Sequence, residues 1–86
     1  LSNYNIPSKV NSIYIYPNPT RNILNINTQN LYFQKIELYD LKGKLMYSKM
    51  VNTNTNSLDI SNFSNSIYIL KVINNSSVEN FKIIKF

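Results

Sequence analysis

Three observations predict an all-β fold, an antiparallel sandwich of two sheets, for this chain of 86 residues. It contains no Ala, the best helix former. It carries 12 Ile, 7 Tyr, 4 Phe and 4 Val, residues that suit a pleated, half-buried surface. Period-two runs recur about every 8–12 residues, and segments rich in Asn, Ser and Pro separate them.

Each element follows from this pattern. Residues 1–12 are mixed and polar and contain Pro7, which suits a linker or a first edge strand. Ile13-Tyr14-Ile15-Tyr16 is a short strand, and Pro17-Asn18-Pro19-Thr20 ends it. Two prolines fix their own φ and push the residues before them into extended conformation, so the chain turns there. Over 23–27, Leu24 and Ile26 share one face and Asn25 and Asn27 the other. Over 33–41, Ile36 and Leu38 lie together and the parity slips at Tyr39, which predicts a strand end or a bulge. Gly43, the single Gly of the chain, falls in Asp40-Leu41-Lys42-Gly43, where a hairpin turn needs φ > 0. Lys44 to Val51 is the return strand.

Residues 52–57, Asn-Thr-Asn-Thr-Asn-Ser, hold nothing apolar and read as a solvated loop. Leu58-Asp59-Ile60 is a short strand, and Ser61-Asn62-Phe63-Ser64 a tight turn that sends Phe63 into the core. Over 67–73, Tyr68, Leu70 and Val72 occupy one face, and Ile67, Ile69 and Ile73 share the other with Lys71. Apolar residues on both faces predict a central strand. Asn74-Asn75-Ser76-Ser77 is a turn, and 78–86 is the last strand, Phe81 and Ile83 alternating with Lys82 and Ile84. The total is seven strands in an immunoglobulin-like sandwich. A chain of this size is one domain, burying only about 60–65% of its unfolded surface around one thin core.

The same composition excludes several chemistries. There is no Cys, hence neither a disulfide framework nor a thiolate metal site. There is no His, hence no Ser-His or Cys-His nucleophile pair and no imidazole ligand. The four carboxylates are Glu37, Asp40, Asp59 and Glu79. Asp40 and Asp59 are the conceivable pair, but turn and edge-strand polarity account for each, and calcium sites draw on several carboxylates close together. No enzyme activity, metal or cofactor is therefore expected.

The net charge of +5 would suit an anionic partner such as nucleic acid, acidic polysaccharide or a lipid headgroup. The densest basic grouping, however, is Lys42-Gly43-Lys44, and Arg21 is the single Arg. Nucleic-acid binders cluster charge and favour Arg, so a solvated basic surface is the simpler reading. Tyr14, Tyr16, Tyr39, Tyr47 and Tyr68 all fall in strands, where core or rim packing explains them better than a stacking platform. No run approaches the ~18 apolar residues of a membrane span. No signal peptide is visible and the chain opens on Leu1, so it is expected to be a piece of a longer precursor.

Four segments go further. Tyr16-Pro17-Asn18-Pro19-Thr20 with Leu24-Asn25-Ile26 resembles the opening motif of the type A C-terminal sorting domain of the type IX (Por) secretion system of Bacteroidetes. Ile36-Glu37-Leu38-Tyr39-Asp40-Leu41-Lys42-Gly43-Lys44 resembles its hairpin. Leu58-Asp59-Ile60-Ser61-Asn62-Phe63 with Ile67-Tyr68-Ile69-Leu70-Lys71-Val72 resembles its central part, and Phe81-Lys82-Ile83-Ile84-Lys85-Phe86 its terminal strand. Order and spacing agree across residues 13–86, which marks these as the sorting domain and 1–12 as the linker or edge strand. One position departs: the family usually has Gly where Ser66 stands, and Asn65 is then the residue that tolerates φ > 0.

The resemblance implies a non-catalytic address at the C-terminus of a cargo protein. The cargo reaches the periplasm by an ordinary signal peptide and crosses the outer membrane to the cell surface or the medium. The implied partners are the type IX translocon, an outer-membrane shuttle protein and a sortase-like cysteine peptidase that removes the domain. Neither nucleic acid nor a membrane span is implied. Recognition is expected at Gly43 and Lys44 in the hairpin, at Tyr68 and Lys71 in the central strand, and at Lys82, Ile83, Ile84, Lys85 and Phe86. Pro17, Asn18 and Pro19 shape the turn. Strand addition at a free sheet edge, or reading of an exposed Lys82 and Lys85, would serve. Simple structural roles compete with each assignment, most strongly at Gly43 and Tyr68. The rival reading is a carbohydrate-binding or adhesive sandwich, which calls for an exposed aromatic patch or a metal site.

Overall fold

The computed structural model describes residues 8–10 (backbone only), 13–28, 35–51, 53–74 and 77–86. Among them are eight strands and no helix: β1 Ser8–Val10, β2 Ile13–Tyr16, β3 Ile23–Asn27, β4 Lys35–Asp40, β5 Leu45–Met50, β6 Thr55–Asp59, β7 Ser66–Ile73 and β8 Val78–Lys85. The seven strands expected from periodicity are β2 to β8, and β1 adds an edge strand beside β2. Sheet A has the order β1-β2-β3-β6 and sheet B the order β5-β4-β7-β8. All ladders are antiparallel. The immunoglobulin-like sandwich is the observed architecture.

Period-two alternation converts directly into the core. Ile13, Ile15, Leu24, Ile26 and Leu58 project inward from sheet A. Ile36, Leu38, Tyr68, Leu70, Val72 and Ile83 meet them from sheet B. The strand β7 is central as expected, pairing with β4 on one side and β8 on the other. The parity slip at Tyr39 is a register shift between β4 and β5 at Leu38/Tyr39. Phe63 packs against the core, its ring centroid 6.0 Å from that of Tyr68.

One expectation is overturned. Residues 53–57 are not all loop: Thr55, Asn56 and Ser57 belong to β6, paired with Asn27, Ile26 and Asn25. A strand needs backbone partners before it needs apolar side chains, and β3 supplies them. Asn56 lies opposite Ile26 and is only 8% exposed; its Nδ2 donates to the Thr53 carbonyl at 3.1 Å, which makes the burial tolerable. Residue 52, the remainder of the expected loop, lies outside the described residues.

Candidate functional site

Two segments far apart in sequence meet at the end of the chain. The turn between β2 and β3 contains cis bonds before Pro17 and Pro19, with Asn18 between them. The Asn18 amide bridges the outer edge of β8: Nδ2 donates to the Lys82 carbonyl at 2.8 Å and Oδ1 accepts from the Ile84 N–H at 3.0 Å. Thr20 continues the edge with its backbone, donating to the Ile84 carbonyl (2.8 Å) and accepting from the Phe86 N–H (3.0 Å) in a parallel bridge. The Arg21 guanidinium lies 5.0 Å from the centroid of the Phe86 ring. The sequence marks Pro17, Asn18 and Pro19 as the turn but gives no sign that the Asn18 amide reaches the terminal strand.

This arrangement corrects the expectation for the terminal strand. The edge of β8 from Lys82 to Phe86 is already occupied, so a partner strand cannot add there. Lys85 shares parity with Phe81 and Ile83 and is only 8% exposed. Its Nζ donates to Asn65 Oδ1 at 3.1 Å, and its aliphatic stem packs inward. An exposed lysine pair is therefore absent: Lys82 is exposed and Lys85 is not. Ile83 is core, Ile84 half-buried on the outer face, and Phe86 exposed. Tyr68 is 2% exposed, and its hydroxyl donates to the Ser64 carbonyl, which makes it a core residue with a polar tip.

The hairpin is built by Asp40 and Gly43. One Asp40 oxygen, Oδ1, accepts from the Lys42 and Lys44 N–H groups, both at 2.9 Å. The Asp40 carbonyl accepts from Gly43 N–H at 3.1 Å. Gly43 has φ +88°, and a Cβ there would meet nothing within 4 Å, so the position demands Gly for conformation and not for space. Asp59, in the other sheet, is held below the usual carboxylate range by the Ser61 side chain and by Ser61 N–H, the latter at 3.0 Å. Asp40 and Asp59 each serve local backbone and do not form a pair. Among the described residues no three His, Cys, Asp or Glu converge as metal ligands.

The turn overhangs a groove of about 510 Å³ on the outer face of sheet B, lined by Tyr39, Asp40, Leu41, Gly43, Ile69, Lys71 and Asn80. A second depression of about 350 Å³ lies on its other side, reaching Lys42, Met46 and Ser66. The groove thus joins two expected recognition residues, Gly43 and Lys71, while Lys82 stands beside Ile69 in the ladder. The Lys71 ammonium lies 5.4 Å from the Tyr39 ring centroid. Tyr39 donates its hydroxyl to Glu37 Oε1 at 2.7 Å, and Lys35 pairs with Glu37 Oε2 at 3.1 Å. Those two partners, Tyr39 foremost, hold the Glu37 carboxyl below its ordinary value, and Glu37 in turn pushes the Tyr39 phenol up. The surface offers recognition chemistry: an apolar floor, a turn and cations.

The family described as "Secretion system C-terminal sorting domain" matches residues 14–85. The ulvan lyase NLR42 of Nonlabens ulvanivorans is 31% identical over 70 residues, which cover 80% of this chain and 13% of that protein. The matched span runs from β2 to the end of β8 and includes the turn, the hairpin and the terminal strand. The chain belongs to the secretion system C-terminal sorting domain family.

Proposed function

We propose that this chain is the address of a longer protein, and that residues 13–86 form the unit read by the type IX translocon as it moves an N-terminal cargo domain out of the periplasm. The observation that carries this reading is the family match across residues 14–85, on a fold whose terminal strand is sealed into the sandwich. An outer-membrane shuttle protein receives the folded domain, and a sortase-like peptidase cuts ahead of it. The domain contributes no catalysis of its own. Any activity of the parent lies in the cargo, as the name of the ulvan lyase relative illustrates for that protein.

The test is a periplasmic reporter fused ahead of the full 86-residue chain in a bacterium with a working type IX system. Export of the fusion is expected, with the tail removed. Retention in the periplasm, in cells that export their own cargo, overturns the reading. A glycan titration of the isolated chain separates it from a carbohydrate-binding module: the sorting reading expects no saturable binding.

A further inference from the structure

The strand registers place the outer residues of sheet B in four cross-strand rows. From β5 to β8 these are Met50-Lys35-Ile73-Val78, then Ser48-Glu37-Lys71-Asn80, then Leu45-Tyr39-Ile69-Lys82, and finally Ile67-Ile84. Met50, Leu45 and Val78 are plainly exposed. The second row is polar throughout, so the continuous apolar stretch is Leu45-Tyr39-Ile69 with Ile67 and Ile84 beside it. The outer face of sheet A is different. Its rows are Tyr16-Asn25-Ser57, Tyr14-Asn27-Thr55 and Ile23-Asp59, largely amide and hydroxyl, with Ser57 donating to Asn25 Oδ1 at 3.1 Å. The outer face of sheet B is thus the more apolar of the two, although Tyr16 and Ile23 are exposed on sheet A. By strand spacing the apolar stretch of sheet B spans roughly 14 by 7 Å, on the order of 100 Å². Tyr39 and Ile69 of this stretch line the groove under the hairpin turn, and a concave apolar floor with a few polar groups around it is the usual form of a binding site.

Much of both edges of sheet B resists strand addition. Along β8 the Asn18 amide and Thr20 occupy Lys82 to Phe86. Along β5 the register shifts at the bulge, and Lys49 projects to the core side, opposite Ile36. Bulges and inward-pointing lysines disrupt edge pairing. What remains open is the face. Glu37 is engaged by Lys35 and Tyr39, and Asp40, which also lines the groove, by the Lys42 and Lys44 N–H groups, so Lys71 and Lys82 are the charges left to meet a partner. A second copy of the chain, itself at +5, would be repelled.

We propose that the outer face of sheet B is a docking surface for a protein partner whose contact segment combines apolar side chains with carboxylates, seated across the Tyr39-Ile69 row between Lys71 and Lys82. In the cell this rests on the sorting reading, since the partner would then belong to the export machinery. Contact is face to face, with the apolar row supplying the buried centre and the lysines the orientation.

Two measurements test it. In the reporter assay, Lys71→Glu with Lys82→Glu is compared with Thr55→Glu and Ser57→Glu on the polar face, after melting curves show both variants folded. Export is expected to fall at least tenfold for the first and less than twofold for the second. Full export by the first, or equal loss in both, overturns the proposal. Separately, the isotope-labelled chain is titrated with two synthetic ten-residue peptides, alternating Glu-Val and alternating Lys-Val. Shifts are expected at Tyr39, Ile69, Lys71 and Lys82 with the glutamate peptide alone, weakening several-fold from 50 to 300 mM salt on the order of the screening expected for exposed charges. Shifts on sheet A, shifts independent of peptide charge, no shifts, or a concentration-dependent dimer through this face overturn it. A wild-type fusion that is not exported removes the sorting reading alone, and the peptide titration still decides the docking surface.

Discussion

At the scale of single residues, Asn18 and Gly43 do what no other residue type does as well. The Asn18 amide supplies a donor and an acceptor two residues apart on β8, imitating a strand with one side chain. Asn18→Ala is expected to cost about 1–2 kcal/mol in denaturant unfolding, since two backbone groups lose their partners. Asn18→Asp is expected to be no better, because a carboxylate oxygen would face the Lys82 carbonyl. At Gly43 the strain is conformational, φ being +88° with open space around it. Gly43→Val is expected to lower stability by about 1–3 kcal/mol and Gly43→Asn by clearly less, because Asn tolerates the left-handed region. Equal melting midpoints for all three would show that the turn relaxes. The carboxyls of Glu37 and Asp59 sit below their ordinary values, so the folded state binds their protons less readily than the unfolded one. Their stabilisation is present above the unfolded carboxylate range of about 4 and is lost as pH falls through the lower folded values. A melting midpoint that drops between pH 6 and pH 2, with a smaller drop in a Glu37→Gln, Asp59→Asn variant, is the expected outcome.

At the scale of the element, β8 carries two lysines with opposite fates. Lys82 points out beside Ile69, and Lys85 points in beside Ser66. Lys82→Ala is expected to change stability by no more than about 0.5 kcal/mol, as at most exposed sites. Lys85→Ala is expected to cost about 1 kcal/mol or more, because it removes a packed stem and leaves Asn65 without its donor. Thermal melts of the two single variants decide this, and equal midpoints would count against the inward placement of Lys85. The parity of Phe81, Ile83 and Lys85 was visible in the sequence. The usual preference of lysine for water hid its meaning, since only the position of Asn65 shows where the ammonium finds a partner.

At the scale of the molecule, β8 fastens the two sheets to each other. It is an outer strand of sheet B, and its free edge is bonded to the turn that joins two strands of sheet A. Removing Val78 to Phe86 takes Phe81 and Ile83 from the core, uncovers the edge of β7 and frees the Asn18 turn. A truncation at residue 77 is expected to lose cooperative unfolding and to retain a fused reporter in the periplasm. Cooperative melting of the truncated chain would show that β8 is dispensable to the fold. The full chain is expected to show a strand-dominated circular dichroism spectrum, and a helical one would contradict the sandwich.

The sequence by itself determined the fold class, the inward faces of β3, β4 and β8, the central place of β7, the irregularity at Tyr39 and the turn at Gly43. All of these rest on interactions between near neighbours or on the two-residue period of a strand, which a one-dimensional string preserves. The strand at Thr55–Ser57 escaped it, because β3 stabilises that segment through the backbone and leaves no apolar trace. Only the tertiary structure decided which edges are closed and which face is open. Asn18 meets Lys82 and Ile84 across 64 and 66 residues of chain, and the rows of sheet B draw on four strands spread over 35–85. Such juxtapositions depend on strand order and register, which are fixed by closure of the whole sandwich and by no single segment.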